Sequence, residues 1–281
     1  MQKEIKNANV LIEALPYIRK FYGKTFVVKY GGSAMEDPKL KEMVAQDLIL
    51  MKYVGMNPIV VHGGGPDITR MLEKFKIKSK FVKGLRVTDA KTMEIVEMVL
   101  SGKVNQDIVN FINKHGGRAV GLSGKDGDLI SAVQHRPGGR NIGFVGEVKK
   151  ITPHVIATLE KDFIPIIAPI GVDKAGVAYN INADEVASEI AVSLKADKLL
   201  MLTDVRGVLG KGGKLIPTIK ISELSKTLKG SRISSGMIPK LRESVDAVKR
   251  GVGKVHIIDG RIPHALLLEI FTDKGIGTQI F

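Results

Sequence analysis

Apolar and polar positions alternate along this chain with two periods, and the switches between them mark out strands and helices. Over residues 7–22, Val10, Leu11, Ala14, Leu15, Ile18 and Phe21 recur at helical spacing, which predicts an amphipathic helix. Pro16 falls inside it, removes one backbone donor and is expected to kink it. Such a terminal helix docks on its own domain or on a neighbour, and the pattern leaves both open. Residues 25–30 form a β-rich run that stops at Gly31-Gly32, and residues 57–62 form a second that stops at Gly63-Gly64-Gly65-Pro66, with a predicted helix over 38–54 between them. Pro66 suits the first position of the next helix, which runs to Phe75. Residues 81–87 read as a short strand or hairpin.

Asp89 is placed to cap a long amphipathic helix that reaches Lys114 and closes at Gly116-Gly117. At 1.5 Å per residue it is roughly 39 Å long, more than one lobe needs to cover a sheet, so a face is left for a subunit contact. Strand 118–122, a hairpin over 129–150 around Pro137-Gly138-Gly139, helix 153–161 and strand 163–168 come next. The remainder reads as helix 182–195, strand 198–203, a glycine-rich excursion over 207–213, helix 237–250, strand 255–258, helix 263–271 and a final strand over 277–280. Strands alternating with helices predict an α/β fold with a mainly parallel central sheet covered on both faces, its ligands collecting beyond the carboxyl ends of the strands. No fixed-period repeat appears.

Composition narrows the class. With 281 residues, 44% hydrophobic and 26% charged, the chain has ordinary globular usage and enough length for a sizeable core. It contains no cysteine, which removes disulfides and thiolate metal sites and fits a reducing cytoplasm. The N-terminus lacks the layout of a secretory signal and no apolar run is long enough to span a membrane, so a soluble protein is expected. A net charge of +14 raises nucleic-acid binding as a possibility, but the basic residues are scattered and only 5% of residues are aromatic. A solvated surface and anionic small substrates account for the excess more simply.

A nucleotide enzyme declares itself by a glycine loop, and the two commonest are incomplete here. Gly23-Lys24-Thr25 ends like a Walker A loop, but Ile18 stands where its first glycine belongs, and Gly63-x-Gly65-x-x-Ile68 lacks the last small residue of a dinucleotide fingerprint. Separate glycine turns stand instead at several strand ends, beside Lys29, His62 and Thr203-Asp204. Stacked in a parallel sheet, they would offer backbone N–H groups and a lysine to one anion, an arrangement suited to phosphoryl transfer. His62 reads as a structural hydrogen-bonder in preference to a base.

Six motifs in order carry a family resemblance: Lys29-Tyr-Gly-Gly, Val61-His-Gly-Gly-Gly-Pro66, Gly84-Leu-Arg86-Val-Thr, Tyr179-Asn180-Ile-Asn-Ala-Asp184, Leu202-Thr-Asp-Val-x-Gly207-Val and Ser235-Gly-Met-Ile-Pro-Lys240. Together they resemble the amino acid kinase family. The resemblance implies an open αβα sandwich, with residues 1–22 as an N-terminal helix, 23–175 as an amino-acid lobe and 176–281 as an ATP lobe. It implies ATP with Mg2+, and phosphorylation of the side-chain carboxylate of N-acetyl-L-glutamate in arginine biosynthesis. It places Lys29 and Lys240 on the transferred phosphoryl group and has Asp184 hold both lysines. It puts Gly64 and Gly65 at the reacting carboxylate, Arg86 on the α-carboxylate and Asn180 at the substrate's backbone end. Around the nucleotide it places Gly31, Gly32, Thr203, Asp204, Val205, Gly207, Val208, Arg232, Ile233 and Ser234.

The N-terminal helix and the run from His264 to Thr278 exceed what a bare kinase needs, and they are similar to the arginine-inhibited, hexameric branch of the family. That likeness implies arginine bound between the two segments near Glu269, Gly275 and His264, and a trimer of dimers joined through N-terminal helices. Rival readings are a kinase for N-acyl-aminoadipate or another amino acid, a nucleotide-dependent oxidoreductase and a non-catalytic arginine sensor.

Overall fold

A computed structural model describes residues 1–224 and 236–281. Helix α1 (Gln2–Phe21) leads into β1 (Thr25–Tyr30), α2 (Pro38–Tyr53), β2 (Asn57–His62) and α3 (Gly65–Lys74). A small hairpin, β3 (Phe81–Val82) and β4 (Leu85–Arg86), precedes α4 (Ala90–Glu97), a π-helical turn (Met98–Val104) and α5 (Asn105–Lys114). Then come β5 (Ala119–Ser123), β6 (Ile130–Gln134), β7 (Gly146–Ile151), α6 (His154–Leu159), β8 (Ile164–Ala168), β9 (Ile170–Val172) and β10 (Ala178–Asn180). The last part holds α7 (Ala183–Ser193), β11 (Lys198–Thr203), β12 (Thr218–Ile219), α8 (Met237–Lys249), β13 (Lys254–Asp259), α9 (Ala265–Ile270) and β14 (Thr278–Ile280).

Eight strands form one sheet in the order β12-β14-β13-β11-β1-β2-β8-β5, parallel at every pairing except β13 with β14. Four more, β10-β9-β6-β7, form a second sheet. Strand alternation sorts the side chains. Val27, Ile59, Val61, Leu199, Met201 and Ile257 point to the face covered by α7 and α8, where Val186, Ile190, Leu241 and Val245 meet them. Phe26, Val28, Val60, Leu200, Leu202 and Ile258 point to the other face, under Val44, Leu48 and Met51 of α2 and Leu266 of α9. A fully buried side chain of this size contributes roughly 1.5–3 kcal/mol, so the register of β1 and β11 is strongly specified. The result is the αβα sandwich with a mainly parallel sheet. Among the described residues no helix is long and apolar enough to cross a membrane.

Three details differ from expectation. The N-terminal helix begins at Gln2 and continues through Pro16, and its two ends behave differently. Near its C-terminus Phe21 is buried and the Tyr17 hydroxyl donates to Asp273 Oδ1 at 2.7 Å, while Val10, Leu11, Ile12 and Leu15 are exposed. The long helix after Asp89 is not one α-helix but is interrupted by the π-helical turn, which has no local sequence signature. The short strands β9, β10 and β12 also escape a periodicity reading, because two or three residues are too few to show a period.

Where the π-helical turn ends, the buried Asn105 side chain ties the helix to the sheet. Its Nδ2 donates to Ile166 O at 2.8 Å and lies 3.2 Å from His62 Nε2, while His62 Nδ1 lies 2.7 Å from Gly63 O. The tautomer with its proton on Nδ1 satisfies both contacts, and burial pushes the imidazole pKa down to about 4, so the ring is neutral. His62 therefore fixes the glycine turn as a hydrogen-bonder. Asn105→Ala strips partners from Ile166 and His62 and is expected to destabilise the protein by about 1–3 kcal/mol, read as a lowered urea midpoint.

Candidate active site

Lys29 shares a strand face with Val27, so its side chain leaves β1 on the side covered by α7 and α8. At the start of α7 the Asn182 side chain accepts the Asp184 amide at 2.8 Å and caps the helix, which sets Asp184 in the first turn. Lys240 stands in the first turn of α8. The three converge. Lys29 Nζ lies 3.0 Å from Asp184 Oδ1, and Lys240 Nζ contacts Oδ2 of the same carboxylate. Burial penalises the ionised carboxylate, but the two ammonium groups outweigh it and hold Asp184 below the usual carboxylate range.

Beside this cluster a cavity of about 220 Å³ is lined by Gly63, Gly64, Gly65, Arg86, Leu100 and Asn180, among others. It opens at the carboxyl end of β2 and the N-terminus of α3, where the first-turn amides have no helical partner, an arrangement that suits an anion. Arg86 is buried with its guanidinium 4.8 Å from the centre of the Phe81 ring, and it donates to Ser79 Oγ, Gly65 O and Thr69 Oγ1 at 2.6, 3.0 and 2.8 Å. These bonds lock its orientation. Asn180 lies on the same wall, its Nδ2 3.4 Å from Thr88 Oγ1. Phe81, Ile181 and Asn182 also line the cavity; the last two stand inside the motif from Tyr179 to Asp184 without an expected role, and Phe81 belongs to no motif. A larger cavity of about 410 Å³ lies under the opposite sheet face, between α2 and α5, and takes in none of the expected ligand-binding residues.

On the other side of Lys29 the turn Gly31-Gly32 meets the end of β11, where Asp204 Oδ1 accepts the Ser33 amide at 2.8 Å. Thr203 is half-buried, and Asp204 and Val205 are open to solvent. Val208 is spent on packing: its side chain lies in the core and its amide donates to Thr278 Oγ1 at 2.8 Å, beside Gly207. Arg232, Ile233 and Ser234 lie outside the described residues.

The expected effector residues separate. Glu269 and Gly275 line a third cavity, about 120 Å³, together with Tyr17, Lys198, Lys254 and His256. His264 is not part of it and instead places Nδ1 2.6 Å from the buried Asp47 Oδ1 on α2. The histidine at Glu269 is His256, whose Nδ1 lies 2.5 Å from Oε1, while Ile276 and Gly277 amides donate to Oε2 at 2.7 and 3.2 Å. Burial disfavours the Glu269 anion, but these partners reverse the effect and keep its pKa lowered. Gly275 takes a left-handed conformation, φ 60°, and a methyl group there would come within 2.7 Å of Oε1, so only glycine lets the loop close on the carboxylate.

The chain matches the amino acid kinase family over residues 24–259. It is 55% identical over 292 residues to the acetylglutamate kinase of Carboxydothermus hydrogenoformans, covering 100% of this chain and 99% of that one. Among solved structures it is similar to N-acetylglutamate synthase from Neisseria gonorrhoeae complexed with coenzyme A and N-acetyl-glutamate, with a TM-score of 0.85 and 26% identity over 96% of this chain. The same synthase complexed with coenzyme A and L-arginine gives a TM-score of 0.81 and 25% identity over 95% of this chain. This chain spans 62% and 63% of those longer chains.

Glu243 stands one turn beyond Lys240 on α8, and its Oε2 is shielded from solvent without a hydrogen-bond partner among the described residues. Burial, then the charge of Asp184, pushes its carboxyl up to about 7. The folded state therefore holds this proton more tightly than the unfolded chain, whose carboxyl titrates near 4.5. Stability from this group is complete below about 4.5 and falls as pH rises through about 7. Glu243→Gln is expected to flatten that decline, measured as the urea midpoint at stepped pH.

Proposed function

This chain belongs to the amino acid kinase family, and we infer that it carries acetylglutamate kinase activity, phosphorylating the side-chain carboxylate of N-acetyl-L-glutamate with ATP in arginine biosynthesis. The observation that carries this reading is one carboxylate, Asp184, gripping a lysine from each half of the chain beside the cavity of Gly64, Gly65, Arg86 and Asn180.

The chemistry needs these groups and little else. The attacking carboxylate has an ordinary pKa of about 4.3, so it is already ionised at neutral pH and no general base is required. The neutral, buried His62 is consistent with that. One substrate oxygen forms a bond to the γ-phosphorus, the bond from that phosphorus to the bridging oxygen breaks, and ADP leaves with the electron pair. The obstacle is repulsion between two anions. Lys29 and Lys240 flank the transferred group and neutralise charge on its oxygens as it moves, while Asp184 keeps both ammonium groups in place before ATP arrives. The Gly64 and Gly65 amides receive the reacting carboxylate, Arg86 holds the α-carboxylate with the donors its protein bonds leave free, and Asn180 meets the substrate's backbone end.

Residues 23–175 serve the amino acid in this reading and residues 176–281 the nucleotide, with Gly31, Gly32 and residues 203–205 nearest the phosphates. Mg2+ is proposed as the companion of ATP, where it would supply charge neutralisation to the polyphosphate. The enzyme is assigned to the cytoplasm, with its ATP supply. Arginine as an inhibitor is the finer part. It is supported by the anionic Glu269 in the cavity between α1 and the C-terminal segment, a partner for a guanidinium, with His256 taking the place given to His264. Exposed Val10, Leu11, Ile12 and Leu15 on α1 support self-association, for which a hexamer of three dimers is the proposed form.

Lys29→Ala and Lys240→Ala are each expected to cut the rate of ADP release with N-acetyl-L-glutamate by at least about 100-fold while leaving the fold intact. Rates within a few fold of the unaltered protein would remove the mechanism. Arginine at saturation is expected to slow ADP release, and an unchanged rate would sink the effector assignment alone.

A further inference from the structure

The long helix that borders the substrate cavity changes its winding as it passes. Between α4 and α5, Met98–Val104 form a π-helical turn, and the extra residue it takes up rotates α5 by about 100° relative to a straight α-helix. Such turns are rare, occur mostly as single turns inside α-helices and are frequent at functional sites. Here the turn reaches the cavity wall. Leu100, within the turn, is 2% exposed and lines the cavity of about 220 Å³. A methyl group built on Gly64 would come within 2.5 Å of Leu100 Cδ2, so the leucine fills the space that a side chain at position 64 would take.

Gly64 and Arg86 stand at the two ends of the proposed substrate, one at the reacting carboxylate and the other at the α-carboxylate. Arg86 cannot retreat, because Ser79, Gly65 and Thr69 hold its guanidinium. Any additional length in the acid must be accommodated near the glycine turn, and Leu100 occupies that space.

We infer that the π-helical turn makes Leu100 the length gauge of the cleft, admitting an N-acylated acid with two side-chain methylenes and rejecting its one-methylene-longer homologue. This rests on the kinase reading above. A side chain at position 64 would have to displace Leu100 from this wall.

The test compares kcat/KM for ADP release with N-acetyl-L-glutamate and with N-acetyl-L-2-aminoadipate. One methylene in an apolar pocket is worth about 10- to 200-fold in discrimination. Leu100→Ala is expected to move the ratio at least about tenfold toward the longer acid, and Leu100→Val is expected to move it in the same direction by less. Val96→Ala, a fully buried truncation one turn earlier and off the cavity wall, is expected to lower the thermal midpoint and leave the ratio unchanged. Should Leu100→Ala fail to fold, Leu100→Val decides the matter. A ratio unchanged within about twofold in a folded Leu100 variant, or moved equally by Val96→Ala, overturns the gauge while the activity stands. If the unaltered protein releases ADP with neither acid, the kinase reading fails, and the gauge that rests on it fails too.

Discussion

The carboxylate of Asp184, buried at the head of α7, lies between two ammonium groups that approach from different elements, Lys29 from β1 and Lys240 from α8. Each member of this trio would be costly alone: an unpaired buried carboxylate loses its hydration, and two lysines held at close quarters repel. Together they form a site with a surplus positive charge at the carboxyl ends of β1 and β2. The rest of the architecture brings them together. Alternation along β1 sends Lys29 to the same side as Val27, the apolar seam on that side recruits α7 and α8, and the Asn182 cap fixes the turn from which Asp184 projects.

The electrostatics around the trio are graded by depth. Glu243, a turn beyond Lys240, has its carboxyl pushed up to about 7, because a second carboxylate so close to Asp184 meets both dehydration and like charge. Whenever Glu243 carries its proton, the lysine pair keeps a surplus positive charge, which suits an anionic acceptor and a polyphosphate donor. The chain-wide excess of basic residues acts in the same direction at longer range, favouring arrival of anions without choosing among them.

Much of the fold was legible in the sequence because its strands are long, apolar and punctuated by glycine. The expected bounds of β1, β2 and β11 coincide with those observed, and the glycine turns after β1 and β2 flank Lys29 as expected. The lysine–aspartate meeting was accessible only through the resemblance, since residues 29, 184 and 240 are far apart in the chain and no local period links them. The hidden features were non-local or phase-dependent. A π-helical turn depends on packing beyond its own residues, so Leu100 could not be assigned to the cavity. The choice between His256 and His264 turned on strand register: His256 lies on β13, opposite α9, and reaches Glu269, whereas His264 starts α9 and faces α2.

The ladder between β1 and β11 also limits how the molecule can move. Residues 23–175 and 176–281 share that pairing in the middle of a single eight-stranded sheet, with Lys29 in register against Met201 on one side and Val61 on the other. Parting these halves along that line would break the hydrogen bonds of the sheet's central pairing, so any rearrangement that keeps the sheet must twist the ladder instead of splitting it.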